Sequence, residues 1–262
     1  MRRYFYPLAL QEIFFVARIK KKSSYFDVAG DEMINGVIFD IDGTLYSYIE
    51  NHARALKILC KFTEKNLGVG EEEFLKVYCE AREIIKSRLT DGGALHSRAL
   101  FFQTALEILG KNPFRYMLKM YKVYWNSFLS EMKPFDGAGE FVRKLKNSGK
   151  KISVCTDMTA HIQYRKIERL GLNNFIDFMV SSEETGLEKP SPKMFNLALK
   201  KMNLPPEEVA YFGDSPDRDI EGAASVGIKP FWFLGEHPET EIKVDCIKFK
   251  NYSEVVNSKI FF

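Results

Sequence analysis

Four short stretches, far apart in the 262-residue chain, carry side chains that could do chemistry together. Asp40-Ile41-Asp42-Gly43-Thr44 sets two carboxylates two residues apart on a sharp turn. Like charges so placed repel, and a nearby cation would relieve them. Thr156 ends an apolar run and offers a hydroxyl to an anionic oxygen. Lys189 stands in Glu188-Lys189-Pro190-Ser191-Pro192, where the prolines fix the loop ahead of a helix. Gly213-Asp214-Ser215-Pro216-Asp217-Arg218-Asp219 brings further carboxylates. Carboxylates for a hard cation, with a hydroxyl and an ammonium for an anion, suit a phosphate bound through Mg²⁺. No GxxxxGK[ST] loop occurs, so nucleotide binding of the P-loop kind is not supported.

Each stretch alone has a plainer reading. Asp40 and Asp42 could be a turn-forming pair, Thr156 an ordinary strand-end residue, Lys189 a surface lysine, and Asp214 a helix cap. Asp217 and Asp219 could be first-turn helix acids favoured by the dipole. For Asp217 the plain reading is kept. For the others, the combination decides for function.

The elements around these residues explain how they could meet. Val37-Ile38-Phe39 reads as a buried strand bounded by Gly36 and Gly43. Four helices are expected over roughly 50–130, carrying apolar stripes. These are Ala55, Ile58, Leu59 and Phe62; Phe74, Val77, Tyr78, Ala81 and Ile85; Ala99, Phe102, Leu106 and Leu109; Phe114, Met117, Tyr121, Tyr124 and Phe128. Gly68-Val69-Gly70, Asp91-Gly92-Gly93 and Asn112-Pro113 separate them. After Pro134, strands (152–155, 175–181, 209–212, 230–234) alternate with helices (138–145, 161–170, 192–202, 219–226). Such βαβ units imply a parallel sheet with right-handed crossovers, and ligands of open parallel sheets bind at the carboxyl ends of the strands. The four stretches fall at those ends.

Lys+Arg 38 against Asp+Glu 35 leaves a net charge of +3, which gives no electrostatic case for nucleic acid. No run of 18 apolar residues exists, so no integral membrane segment is expected. Cys60, Cys79, Cys155 and Cys246 form no CxxC, which fits a reducing, cytoplasmic setting. Residues 1–32 stand apart as an N-terminal extension. Leu8–Ile19 is apolar on a broad helical face and is closed by Lys20, Lys21 and Lys22. It lacks a signal-peptide cleavage site, and it is expected to pack on its own domain or to form a homodimer contact.

The four stretches, in this order, resemble the signature motifs of the haloacid dehalogenase-like (HAD) superfamily of hydrolases: DxDGT at Asp40–Thr44, the hydroxyl of Thr156, the lysine Lys189, and GDxxxxD ending at Asp214 and Asp219. The resemblance covers about 33–235. It implies a doubly wound, Rossmannoid α/β core (33–48 and 133–262) with an inserted four-helix cap (49–132), and points to the small-molecule phosphatase branch. It further implies that Asp40 is the nucleophile that becomes an aspartyl phosphate, and that Asp42 is the general acid and base. Thr156 and Lys189 would hold the phosphoryl oxygens. Asp40, Asp214 and the backbone carbonyl of Asp42 would bind Mg²⁺, and Asp219 would orient Lys189 or a water on the metal. A dehalogenase of this superfamily needs neither a metal nor an acid two residues after the nucleophile, so Asp42 and Asp214 argue for phosphate chemistry. The expected substrate is a small phosphorylated metabolite, released through hinges near residues 46–50 and 132–135. A phosphomutase of the same superfamily would share every motif. A non-catalytic interaction protein docking through Leu8–Lys22 is a third reading, against which the intact carboxylate set argues.

Two details depart from the family pattern or stay open. Asp157 stands where Asn often follows the motif hydroxyl, and is expected to turn away and cap the helix beginning near Thr159. In the helical insert, His52, Arg88, His96 and Arg98 read equally as substrate-facing groups or solvated surface charges, and Tyr46 equally as a pocket wall or core.

Overall fold

The structure, a computed structural model, describes residues 33–235 and 239–262. The Leu8–Ile19 stretch, its lysines and the homodimer contact expected of them lie outside the described residues.

Six parallel strands form one sheet in the order β3-β2-β1-β4-β5-β6. They are β1 (Gly36–Phe39), β2 (Lys151–Thr156), β3 (Phe178–Ser181), β4 (Val209–Gly213), β5 (Lys229–Phe233) and β6 (Ile247–Phe249). β1 and β4 are buried throughout, as strands covered on both faces must be, so they read as unbroken apolar runs. Side chains still alternate between the faces. Ile38 and Tyr211 pack on Met194, Phe195, Ala198 and Met202, while Phe39 and Phe212 meet Phe141, which in turn meets Phe261. β6 was not anticipated: three residues with a lysine in the middle carry no periodic signal.

Between β1 and β2 the chain forms α1 (Tyr48–Leu67), α2 (Glu71–Arg88), α3 (Arg98–Ile108) and α4 (Pro113–Ser130), then α5 (Ala138–Asn147). Local chemistry sets their ends. Ser47 accepts from the Glu50 amide, Ser97 from that of Leu100, and Asn112 from that of Phe114 with Pro113 in the first turn. Gly68 closes α1 in the left-handed region. Phe74, Tyr78, Phe101, Phe102, Tyr124, Trp125 and Phe128 fill the space between these helices. Two expected stripe members are not core. Phe114 is 99% exposed, because it lies in the first turn of α4, ahead of that helix's buried positions Met120 to Leu129, and Ile58 sits at the edge of its stripe.

The remaining helices are α6 (Ala160–Arg169), α7 (Ser182–Thr185), α8 (Pro192–Met202) and α9 (Glu221–Ser225). The helix expected over 219–226 begins earlier, as a π-turn at Pro216–Ile220. There the amides of Asp219 and Ile220 both reach the Ser215 carbonyl, at 2.9 and 3.2 Å. All four cysteines are free; Cys60 and Cys155 are buried, Cys246 is half-buried and Cys79 exposed. Among the described residues no helix is long and apolar enough to cross a membrane.

Candidate active site

The chain leaves β1 for β2 and β3 on one side, then crosses back to β4 on the other. Such a reversal opens a crevice at the carboxyl ends of the two central strands. Asp40 follows β1 and Asp214 follows β4, so both stand at that crevice. The Asp40 amide donates to the Phe212 carbonyl at 2.8 Å. Carboxylate oxygens of Asp40, Asp214 and Asp219 all lie within 4.8 Å of one another, and all three residues are buried. Two glycines permit this crowding. Gly43 has φ +85°, and a Cβ there would stand 2.3 Å from Asp214 Oδ2; one on Gly213 would stand 2.4 Å from Asp219 Cβ. The neighbouring backbone is fixed by Trp232 Nε1, which donates to the Asp214 carbonyl, and by the Tyr252 hydroxyl, which donates to that of Thr44, both at 2.9 Å.

Lys189 bridges two of the acids, with Nζ 2.6 Å from Asp40 Oδ1 and 2.6 Å from Asp219 Oδ1. Asp219 is further engaged by the Tyr211 hydroxyl at 2.8 Å and the Ser215 amide at 3.1 Å. The π-turn aims it inward. Burial lifts the pKa of Asp40 well above the usual carboxylate range; Lys189 opposes this, while Asp219, Asp214 and Asp42 add to it. Burial alone would lower the pKa of Lys189, yet Asp219 and Asp40 hold it well above the ordinary lysine value. Two carboxylates, Asp40 and Asp219, therefore share one ammonium, with Asp214 beside them. The second oxygen of Asp40 faces the other way: Thr44 Oγ1 lies 3.3 Å from both Asp40 Oδ2 and Asp214 Oδ1. This oxygen-only, buried donor set fits a hard divalent cation such as Mg²⁺. Asp40 and Asp214 are the pair that would hold it, since both oxygens of Asp219 already serve Lys189, Tyr211 and Ser215.

Asp42 is not part of this cluster through its side chain. Its carboxylate accepts from Lys166 Nζ at 2.6 and 2.7 Å, from Gln163 Nε2 at 3.2 Å, and from the Tyr46 hydroxyl. Burial would raise its pKa, but Lys166 and these hydrogen bonds prevail and hold it below the usual range. Lys166 is itself buried; Nζ lies 5.8, 5.7 and 5.5 Å from the ring centres of Tyr46, Trp125 and Phe128. Thr156, at the end of β2, accepts from Gln163 Nε2 through Oγ1 at 2.5 Å. Its own hydroxyl hydrogen is thereby left to donate elsewhere.

Asp157 turns away from the cluster as expected, but it does not cap α6. Its Oδ1 accepts from the Lys189 amide at 2.9 Å and its Oδ2 pairs with Arg218. A guanidinium and an amide outcompete the helix end, and Glu183 takes the Ala160 amide instead, at 2.8 Å. Asp157 thus fixes the backbone that carries Lys189. Asp217 is at the surface, accepting from Ser215 Oγ at 3.0 Å. Sequence reasoning missed Lys166, Gln163 and Tyr211. Gln163 and Lys166 lie three apart on one helical face, a spacing that marks a shared target.

The helical insert contributes Arg98, only 5% exposed, and His52. Arg88 is exposed and free of the site. His52 Nδ1 lies 2.7 Å from the Tyr124 hydroxyl. Burial, then Arg98 and Arg82, push its pKa down to about 3. With the folded pKa below the unfolded value of about 6.5, the unfolded chain binds a proton that the folded chain refuses. Stability is therefore full above about pH 6.5 and falls as pH drops toward 3. His52→Gln is expected to lose on the order of 2 kcal/mol less stability than wild type between pH 7 and 4.5, read by urea unfolding at both pH values. Equal losses in the two proteins would remove His52 as the cause.

A family model for haloacid dehalogenase-like hydrolases matches residues 34–227. A ribulose-1,5-bisphosphate 5-phosphatase of Halopiger xanaduensis is 35% identical over 203 residues, covering 77% of this chain and 85% of that protein. A glyceraldehyde 3-phosphate phosphatase of Methanopyrus kandleri is 34% identical over 201 residues, covering 75% and 82%. Among solved structures, a 2-haloacid dehalogenase of Pseudomonas syringae pv. Tomato superposes with TM-score 0.67 at 22% identity, covering 85% of this chain and 96% of that one. A HAD phosphatase of Thermococcus onnurineus gives 0.64 at 20% identity, with the same coverage. At such identities the structural likeness speaks for the fold alone.

Proposed function

Because the chain belongs to the haloacid dehalogenase-like hydrolase family, we propose that it hydrolyses a small phosphomonoester with Mg²⁺, through an aspartyl phosphate on Asp40. The observation that carries this is the division of labour at Asp40: one oxygen is paired with Lys189, and the other faces Thr44 and Asp214. The 34–35% identical relatives, both named as phosphatases of small sugar phosphates, support the substrate class.

Bound between Asp40 and Asp214, with the Asp42 carbonyl as a further donor, Mg²⁺ would offset charge on the phosphoryl oxygens. Asp40 attacks phosphorus; the bond from phosphorus to the leaving oxygen breaks. Lys189 and the Thr156 hydroxyl bind the equatorial oxygens, where charge builds in the transition state. For this half-reaction Asp42 must first take up a proton from solvent and leave Lys166; it then gives that proton to the departing alkoxide. It then takes a proton from the water that cleaves the aspartyl phosphate, which restores Asp40 and releases inorganic phosphate. The ionised, Lys166-held state of Asp42 suits that second half-reaction. Asp219 keeps Lys189 aimed at Asp40.

Residues 49–132 would serve as a cap over a core of 33–48 and 133–262. The Tyr124, Trp125 and Phe128 group of α4 meets Lys166 and Tyr46 beside the crevice, where closure would exclude bulk water. The test is turnover of p-nitrophenyl phosphate, ribulose 1,5-bisphosphate and glyceraldehyde 3-phosphate, before and after removal of divalent cations. Chelation is expected to lower turnover by roughly 100-fold or more, given the several kcal/mol of charge stabilisation a metal supplies, with recovery on adding Mg²⁺. Undiminished turnover in metal-free protein would overturn the metal assignment. Silence toward every phosphoester would overturn the phosphatase.

A further inference from the structure

We propose that the helical insert contains a second anion site, built around the buried guanidinium of Arg98, that receives the distal phosphate of a bisphosphorylated substrate. The inference rests on the phosphatase reading and names the substrate class that reading leaves open.

Three cations are buried among the described residues: Lys166, Lys189 and Arg98. The two lysines each sit 2.6 Å from a carboxylate. Arg98 has none. Its nitrogens reach only the His96 carbonyl at 2.9 Å, the Tyr48 hydroxyl at 2.5 Å and the Tyr124 hydroxyl at 3.3 Å. Its Cζ lies 5.5 Å from the centres of the Phe101 and Tyr124 rings. Neutral dipoles and ring faces offset part of the cost of burying a charge, but a full counter-charge is missing.

A cavity of about 40 Å³ opens on Arg98, walled also by Tyr48, His52, Tyr78, Arg82 and Lys86. At ~10–15 Å³ per water by this measure, that is room for about three waters or one tetrahedral anion. No carboxylate lines it. Outside the lining, Glu188 lies 2.9 Å from His96 and 3.5 Å from Arg218. Among the described residues, Arg82 and Lys86 have no hydrogen-bond or ion-pair partner. The Tyr78 hydroxyl, on a buried residue, also has no partner and can donate. Three cations and a spare donor converge on one small space, a charge excess matched by a dianion better than by a carboxylate.

The site also borders the boundary between the insert and the core. Arg98 and His96 line a second cavity, about 150 Å³, whose far wall is Met158 and Thr159, next to Thr156 at the end of β2. Arg98 and Lys166 both lie within 6 Å of the Trp125 ring centre, and Lys166 holds Asp42. In the proposal, the distal end of a substrate bound at Asp40 lies on the Arg98 side of the Trp125 ring.

The experiment compares ribulose 1,5-bisphosphate, ribulose 5-phosphate, 2-phosphoglycolate and p-nitrophenyl phosphate in the Mg²⁺-loaded enzyme. The bisphosphate is expected to lead both the monophosphate and the carboxylate-bearing ester by at least about tenfold in kcat/KM, roughly 1.4 kcal/mol. In Arg82→Met and Lys86→Met, whose side chains reach solvent, the ratio of kcat/KM for bisphosphate over p-nitrophenyl phosphate should fall about tenfold, through KM. Arg98→Lys should fall between wild type and Arg98→Met. A ratio within twofold of wild type in both surface variants would overturn the site; 2-phosphoglycolate in the lead would assign it to carboxylates instead. Calorimetric binding of the two ribulose esters to Asp40→Asn, with and without Arg82→Met, separates the two proposals. If no ester is turned over but the bisphosphate still binds tenfold tighter in an Arg82-dependent way, the phosphatase reading fails and the anion site stands.

Discussion

Asp40→Asn is expected to reduce turnover of p-nitrophenyl phosphate by roughly 10⁴-fold or more while the protein stays folded. The size follows from the role: loss of a covalent nucleophile removes the reaction path and leaves only binding and charge stabilisation. The fold should tolerate the change because asparagine keeps the shape of the side chain. Its carbonyl oxygen can still accept from Lys189, where Asp40 Oδ1 does so at 2.6 Å. Its amide can face Asp214, where Oδ2 stands 3.3 Å from a shared threonine hydroxyl. Lys189 also keeps Asp219, and the cluster loses one of three crowded negative charges. The lost ion pair and the relieved repulsion oppose each other, so stability should move by no more than about 1 kcal/mol. Wild type quenched in acid during turnover should carry a phosphoryl adduct on the peptide containing Asp40, and the variant should not. Turnover within tenfold of wild type would mean that another group attacks phosphorus.

Much of this site could be read before any fold was known, for a physical reason. In a parallel sheet covered on both faces, strands must be unbroken apolar runs, so their ends are visible where polar residues begin. Asp40, Thr156 and Asp214 stand at such ends, and the capping residues Ser47, Ser97 and Asn112 mark helix starts as clearly. What stayed hidden depends on packing between distant segments. Lys166 lies in a helix rich in charged residues and reads as solvent-facing; only when α6 lies beside the turn after β1 does it become a buried partner of Asp42. Asp157 looked like a helix cap because its rivals, the Lys189 amide and Arg218, are 32 and 61 residues away. In sequence Arg98 reads equally as a substrate-facing group or a surface charge. Its burial is set by rings of α3 and α4 stacked around it, which no periodicity within α3 could show.

Lys189→Met is expected to give the largest stability loss of any single change at the site, about 3–5 kcal/mol at pH 8 without added metal. That is the usual cost of removing one partner from a buried ion pair, and here one ammonium serves two carboxylates. Methionine matches the stem in length but offers no charge, so Asp40 and Asp219 would lose the cation they share. The sign of the pH dependence follows. Burial already lifts the pKa of Asp40, and Lys189 is the first influence opposing that; its removal lifts the folded value further above the unfolded one, near 3.9. A carboxylate of raised folded pKa takes up a proton more readily folded than unfolded, so the penalty is complete above the folded pKa and shrinks as pH falls through it. The gap between variant and wild type in urea unfolding should therefore be wider at pH 8 than at pH 5. Mg²⁺ at pH 8 should narrow it, because a cation beside Asp40 and Asp214 supplies part of the missing charge. Catalysis should fall by at least about 100-fold even with Mg²⁺ present, since the transferring phosphoryl group loses its ammonium. A gap below about 1 kcal/mol, or one unchanged between the two pH values, would show that Lys189 is not what lets these acids stand together.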